Sequence, residues 1–138
     1  MSMKKQKVAI VTAGSKGIGA ACARHLASEG YKLVLMSRSD SLFAFCDQLN
    51  ARPIQGSMKD QNDIVRLVDF TFEKYGRIDA VVCNTGHARK GPLISLTDSD
   101  WYEGVNLLLM NVVRLARLVG PIMAKQKVGA LVNISSFG

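Results

Sequence analysis

The sequence predicts an α/β protein, a doubly wound parallel sheet in three layers. Three observations lead there. Four short apolar runs and a weaker segment around Ile54 punctuate the chain, the runs having the pattern of strands buried on both faces. Segments of helical periodicity lie between them, so successive strands need βαβ crossovers and hence a parallel sheet. A glycine-rich loop, Gly14-Ser15-Lys16-Gly17-Ile18-Gly19, separates the first run from the first helix.

The first strand is read at Val8-Ala9-Ile10-Val11. A helix follows from Ala20 to Glu29, with Ala23, Leu26 and Ala27 at helical spacing and Gly30 as its stop. Leu33 to Met36 is the second strand, Ser41 to Leu49 a short helix, and Ile54 the centre of a weak third strand after Pro53. Asp60 to Tyr75 carries Ile64, Leu67, Val68 and Phe72 on one helical face, ended by Gly76. Ala80 to Cys83 is the fourth strand, and the Gly-, Pro- and polar-rich stretch Asn84 to Thr97 is a loop. Asp98 to Lys125 holds a long helix in which Pro121 marks a kink or the last turn. Ala130 to Ile134 is the fifth strand, and no internal repeat or linker interrupts the series.

Composition narrows the function classes. The 138 residues are 48% hydrophobic and 21% charged, enough for one domain with a real core. The net charge of +7 would favour a polyanion, but the basic residues are scattered and only Lys4, Lys5 and Lys7 cluster. No aromatic residues interleave with that cluster, so nucleic-acid binding is not expected; attraction of a phosphorylated small ligand is. Cys22, Cys46 and Cys83 form no CxxC pair and no even framework, which points to reduced thiols and a cytoplasmic protein. With the two histidines they show no metal-ligand spacing, so no metal site is expected. No apolar run is read as a membrane span, and Met1 to Lys7 is too polar for a signal peptide.

The glycine loop carries the chemistry. Between a buried strand and a helix, glycine permits the turn, the approach of backbone to a pyrophosphate and close helix–strand packing. The helix N-terminus then offers free N–H groups and a partial positive charge to phosphate oxygens. The spacing is G-x-x-G-x-G rather than G-x-G-x-x-G, and no GK[ST] follows, so the loop is not a P-loop.

Thr12-Ala13-Gly14-Ser15-Lys16-Gly17-Ile18-Gly19 resembles the T-G-x-x-x-G-x-G motif of the short-chain dehydrogenase/reductase family, with Ala13 where the motif has its first Gly. Gly76-Arg77-Ile78-Asp79 and Cys83-Asn84-Thr85-Gly86 resemble the family's G-x-I-D and N-N-A-G stretches, and Asn133-Ile134-Ser135-Ser136 its fifth-strand end. The likeness is to the N-terminal half of 3-oxoacyl-carrier-protein-reductase-like members. It implies a Rossmann-type sheet, here truncated after the fifth strand, with residues 1–138 as a single nucleotide-binding domain lacking its C-terminal part.

A ribose 2′-hydroxyl usually meets an acid at the end of the second strand. Here Met36-Ser37-Arg38-Ser39 has none, and Arg38 offers a fork suited to phosphate. Lys16 adds a second cation, so NADP is expected over NAD. The cofactor-binding set is Gly14, Ser15, Lys16, Gly17, Ile18, Gly19, Ser37 and Arg38, joined through the resemblance by Ser57, Met58, Asn84 and Gly86. The family usually has Asp where Ser57 stands.

The resemblance implies hydride transfer between NADPH and a carbonyl or secondary alcohol, in a homodimer or homotetramer. Met110, Val113, Leu118 and Met123 suit either such an interface or core packing. The catalytic residue implied within the chain is Ser136. The family's Tyr-x-x-x-Lys pair is expected beyond Gly138, since neither Tyr75 nor Tyr102 has a lysine four residues later. Leu108 falls where the family carries a catalytic asparagine, with Asn106 and Asn111 as nearby alternatives. His87 and Arg89, in the loop Gly86 to Gly91, could reach a substrate, although solvated loop residues are the favoured reading. The alternative expectation is a catalytically incomplete nucleotide-binding module or fragment. In that case the chain by itself is inactive and Ala130 to Ile134 is an exposed apolar edge that aggregates or pairs.

Overall fold

The structure, a computed structural model, describes residues 5–135. The elements follow the order the apolar runs predict. They are β1 (Val8–Thr12), α1 (Gly17–Ser28), β2 (Lys32–Ser37), α2 (Ser41–Leu49), β3 (Arg52–Gln55), α3 (Gln61–Tyr75) and β4 (Ala80–Cys83). A 3₁₀ turn at Leu93–Ser95 follows, then α4 (Asp98–Val105), a π-helical turn (Asn106–Met110), α5 (Asn111–Gln126) and β5 (Ala130–Asn133).

The five strands form one parallel sheet in the order β3-β2-β1-β4-β5. The chain walks outward from β1 to β3 and then returns to the other side of β1. That reversal places a switch point between β1 and β4, and ligands of open α/β sheets bind beyond the strand ends at such a point.

Alternating side chains feed two cores. Ile10, Val34, Met36, Val81 and Cys83 face α3 and α5, burying Ile64, Leu67, Val68, Leu115 and Val119. Ala9, Val11, Leu33, Leu35 and Val82 face α1 and α2, burying Ala20, Ala23, Leu42, Phe45 and Cys46. The result is three layers, with β1 buried along its whole length. At one end of the sheet Asp79 ties β1 to β4: its carboxylate accepts from Val8 N–H at 2.8 Å and from Arg77 Nε at 2.7 Å.

Several expectations need correction. Phe72 is 43% exposed; Thr71 takes the buried place on α3, its hydroxyl satisfied by the Leu67 carbonyl at 2.7 Å. Pro53 lies inside β3 rather than before it, tolerated because β3 is an edge strand. Pro121 neither ends nor breaks α5, which continues to Gln126. Asp98–Gln126 is a continuous helical stretch of 29 residues, long and apolar enough by composition to cross a membrane, contrary to the reading that no such run exists. Its apolar residues are arranged amphipathically, however. Leu115 and Val119 pack on the sheet while Arg117 stays exposed. Leu118 and Met123 lean on the same core. The β5 edge is largely exposed, with Val132 at 49%, as the apolar-edge reading anticipates.

Candidate functional site

β1 stops at Thr12 because the chain turns sharply over the sheet edge. Thr12 Oγ1 donates to the Asn84 carbonyl at 2.7 Å and accepts the Asn84 N–H at 2.9 Å, locking the ends of β1 and β4 together. Ala13 then adopts φ +47°, a left-handed conformation costly for a residue with Cβ. The Gly14 N–H reaches back to the Met36 carbonyl at 3.1 Å, and the Ser15 and Ser37 hydroxyls lie 2.8 Å apart. The loop is thus fastened to β2 at two points.

The N-terminus of α1 is the centre of the site. Lys16 caps it with extended backbone and no side-chain acceptor, and no acid lies in the first turn. Its N–H groups therefore lack a capping partner and keep their partial positive charge. Gly17 has φ +54°, with open space where a Cβ would stand. Gly19 is different: a Cβ there would lie 2.3 Å from the Ala13 carbonyl oxygen and 2.8 Å from Asn84 Nδ2. Gly17 leaves the approach to the helix clear, and Gly19 lets the helix pack against the loop.

These features line a cleft of about 1000 Å³ above the switch point. Ser15, Lys16, Gly17, Ile18, Ser37, Arg38, Ser57, Met58, Asn84 and Gly86 all line it, so the structure gathers ten of the expected positions in one place. Gly14 and Gly19 do not line it; they hold the loop from behind. Ser136 lies outside the described residues, and its neighbour Ser135 is on the cleft wall.

The cleft has two chemically distinct ends. Lys16, Arg38 and Lys59 line it and no carboxylate does. Lys59 is bound to Glu103 at 2.6 Å, whereas Lys16 and Arg38 form no ion pair among the described residues. Met58 is buried, and Ser57 is held by Asp63, whose carboxylate accepts its N–H at 2.9 Å. That backbone bond, with the one from Arg66, holds the Asp63 carboxyl below its ordinary range. The other end is uncharged: Cys83, Leu107, Leu108, Asn111, Val112 and Ile134. Burial pushes the Cys83 thiol up to about 11, so it is a neutral wall rather than a nucleophile.

The structure also separates residues the sequence left open. Asn106 is engaged elsewhere: its amide donates to the Lys59 carbonyl at 3.1 Å and accepts from Arg114. Asn111 is fully buried on the cleft wall, and Leu108 lines the cleft beside it. Arg89 is bound to Asp100 at 3.0 Å, while His87, read as merely solvated, is exposed at the cleft rim. Lys59, Cys83, Leu107, Val112 and Ile134 were not anticipated. The signal available for the helical pair was its spacing, since Leu107–Asn111 and Leu108–Val112 each fall one turn apart. Among the described residues no cluster could hold a metal ion.

Comparison with known proteins agrees with this geometry. Residues 7–138 match the short chain dehydrogenase family. The chain is 33% identical to a 3-oxoacyl-(acyl-carrier-protein) reductase of Thermotoga maritima, covering 94% of this chain and 55% of that protein. It is equally 33% identical to a 7alpha-hydroxysteroid dehydrogenase of Bacteroides fragilis, covering 99% of this chain and 56% of the other. The chain thus spans about half the length of the curated relatives it matches. A metagenomic short-chain oxidoreductase solved in complex with NADP superposes with a TM-score of 0.90 at 31% identity, over 96% of this chain and 63% of that one. A short-chain dehydrogenase from Streptomyces avermitilis also gives 0.90 at 27% identity, over 98% of this chain and 51% of that one. With a family match over nearly its whole length and the same sheet in solved members, the chain belongs to the short-chain dehydrogenase family.

Proposed function

We propose that the cleft binds NADP, and that the protein this chain represents is an NADP-dependent oxidoreductase interconverting a carbonyl and a secondary alcohol. One observation carries the cofactor reading. An uncapped helix N-terminus and two cations without ion-pair partners among the described residues face one end of the cleft, and its opposite end is neutral and apolar. That polarity matches a ligand with phosphates at one end and an uncharged ring at the other. The donor set fits the group: the free N–H groups of the first turn of α1 suit the pyrophosphate. Arg38 and Lys16 suit the 2′-phosphate, since a guanidinium fork pairs two phosphate oxygens at once. Ser57 and Met58 would border the adenine, and Asn84 and Gly86 the ribose beyond it.

When bound, the cofactor supplies the hydride. The chain's own part is to hold and orient it: Thr12 and Asn84 fix the floor, Gly17 leaves the phosphates room, and Cys83, Leu107, Leu108 and Ile134 exclude water at the ring end. Ser136 is assigned to hold the substrate oxygen. The mode of proton delivery is not written into residues 1–138, because no tyrosine here is followed by a lysine four residues on. A second reading rests on that fact: residues 1–138 alone bind the cofactor without turning it over. The proposal extends to a cytoplasmic protein, supported by three unpaired cysteines, and to a homo-oligomer, which rests on the family resemblance alone.

Titration with 2′,5′-ADP, followed by amide chemical shifts, tests the reading. Shifts at Gly17, Ile18 and Arg38 are expected; absence of binding at millimolar ligand would overturn it.

A further inference from the structure

The helix that borders the neutral end of the cleft is not regular. Between α4 and α5 it widens into the π-helical turn Asn106–Met110, and such a turn holds one residue more than an α-helical one. Two asparagines bracket it. Asn106, at its start, is fastened to the Lys59 carbonyl and to Arg114. Asn111, immediately after it, donates its side-chain N–H to the Leu107 carbonyl four residues back.

That second bond has a consequence for the amide. A carbonyl only accepts, so the nitrogen of Asn111 must face Leu107 and its oxygen must face elsewhere. The oxygen finds no donor among the described residues and is fully buried. An apolar residue at this position would escape the cost of that unmade hydrogen bond, so the favourable contact the amide makes is the one from its nitrogen to the Leu107 carbonyl. The nitrogen holds a carbonyl whose normal partner, the backbone N–H four residues on, is displaced when the helix widens.

We infer that Asn111 is a positioning residue that pins the π-helical turn open and thereby places Leu107 and Leu108 in the wall of the ring end of the cleft. The inference rests on the NADP reading above. Without the pin the turn relaxes towards an α-helix and loses its extra residue. Each helical residue subtends about 100° of rotation. A register change of one residue therefore swings Leu108 away from the cleft, although it is a wall residue now. Lys16, Arg38 and the N-terminus of α1 stand on the β1–α1 loop and the end of β2, away from the turn, whose bond to the other side of the cleft, among the described residues, is the one from Asn106 to the Lys59 carbonyl.

The test compares NADP⁺ with 2′,5′-ADP, which lacks the nicotinamide half, by calorimetric titration of the 138-residue chain and its Asn111→Leu and Asn111→Ser variants. Leucine has no donor. A helical serine hydroxyl can bond the carbonyl four residues back, so it restores the pin without restoring the amide oxygen. We expect Asn111→Leu to weaken NADP⁺ about tenfold with 2′,5′-ADP unchanged, and Asn111→Ser to bind both as the parent chain does. Equal weakening of NADP⁺ by both variants overturns the inference and assigns the amide oxygen a direct ligand contact. Unchanged NADP⁺ binding by Asn111→Leu overturns it too. If the leucine variant does not fold, the smaller donor-less Asn111→Ala takes its place: a tenfold loss of NADP⁺ affinity beside parental binding by Asn111→Ser supports the pin, and unchanged binding by Asn111→Ala or a tenfold loss in Asn111→Ser refutes it. If the parent chain does not bind 2′,5′-ADP, the nucleotide reading itself has failed and this inference falls with it.

Discussion

Thr12 and Asn84 hold the two central strand ends together through one hydroxyl, which donates to the Asn84 carbonyl at 2.7 Å and accepts the Asn84 N–H at 2.9 Å. Both residues are buried, and the floor of the cleft depends on the pair. Thr12→Val keeps the shape and removes the hydroxyl, leaving two buried backbone groups unmatched. The expected loss of stability is about 1–3 kcal/mol. A lower urea midpoint with an unchanged slope would show it; an unaltered midpoint would mean that water replaces the hydroxyl.

Ala13 holds a left-handed conformation, φ +47°, at the position where the family motif has glycine. The Cβ there costs about 1–2 kcal/mol, partly offset by the greater chain entropy glycine loses on folding. Ala13→Gly should therefore raise stability by about 0.5–1 kcal/mol, read as an increase in Tm. The neighbouring change Gly19→Ala should do the reverse, because its Cβ would meet the Ala13 carbonyl oxygen at 2.3 Å.

Acid should unfold the chain partly through Asp79. Burial raises its carboxyl, but the hydrogen bonds from Arg77 and Val8 and the charges of Arg77 and Lys7 outweigh that and hold it below the ordinary range. A carboxyl whose folded pKa is depressed contributes stability above its unfolded pKa, about 3.9, and loses it as pH falls through the folded value. Asp79→Asn should cost about 3 kcal/mol at neutral pH, by leaving Arg77 without its partner. It should also flatten the fall in stability below about pH 4. An unchanged acid profile in urea melts at several pH values would contradict this.

The exposed edge strand makes a claim about association. β5 pairs only with β4 among the described residues, and Val132 is 49% exposed. Unpaired strand edges template further pairing. The isolated 138-residue chain should self-associate, and Val132→Lys should shift it towards monomer in light scattering after gel filtration. A monomeric parent chain would remove the argument.

Much of this was legible in the sequence. Runs such as Val8–Val11 and Leu33–Met36 are buried on both faces, and only a covered parallel sheet asks for that. Ten of the residues expected to hold a cofactor line one cleft because local motifs fix local geometry. The parts not legible are those set by three-dimensional packing. Phe72 and Thr71 exchange places on α3 because a small satisfied hydroxyl fits under the sheet where a ring does not. The π-helical turn leaves no periodic signature: one extra residue in an apolar run, Leu107-Leu108-Leu109, shifts which leucine meets the cleft without changing the pattern. The different duties of Asn106 and Asn111 depend on partners 47 residues distant in one case and four in the other.

The central claim is that Arg38 and Lys16 read a 2′-phosphate, and calorimetric titration of NADPH and NADH against the chain tests it most directly. A charged hydrogen-bonded contact of this kind contributes about 1.5–3 kcal/mol, so NADPH should bind about ten- to a hundredfold more tightly. Arg38→Asp should abolish or invert the preference. Equal affinities in the parent chain, or tighter binding of NADH, would contradict the account.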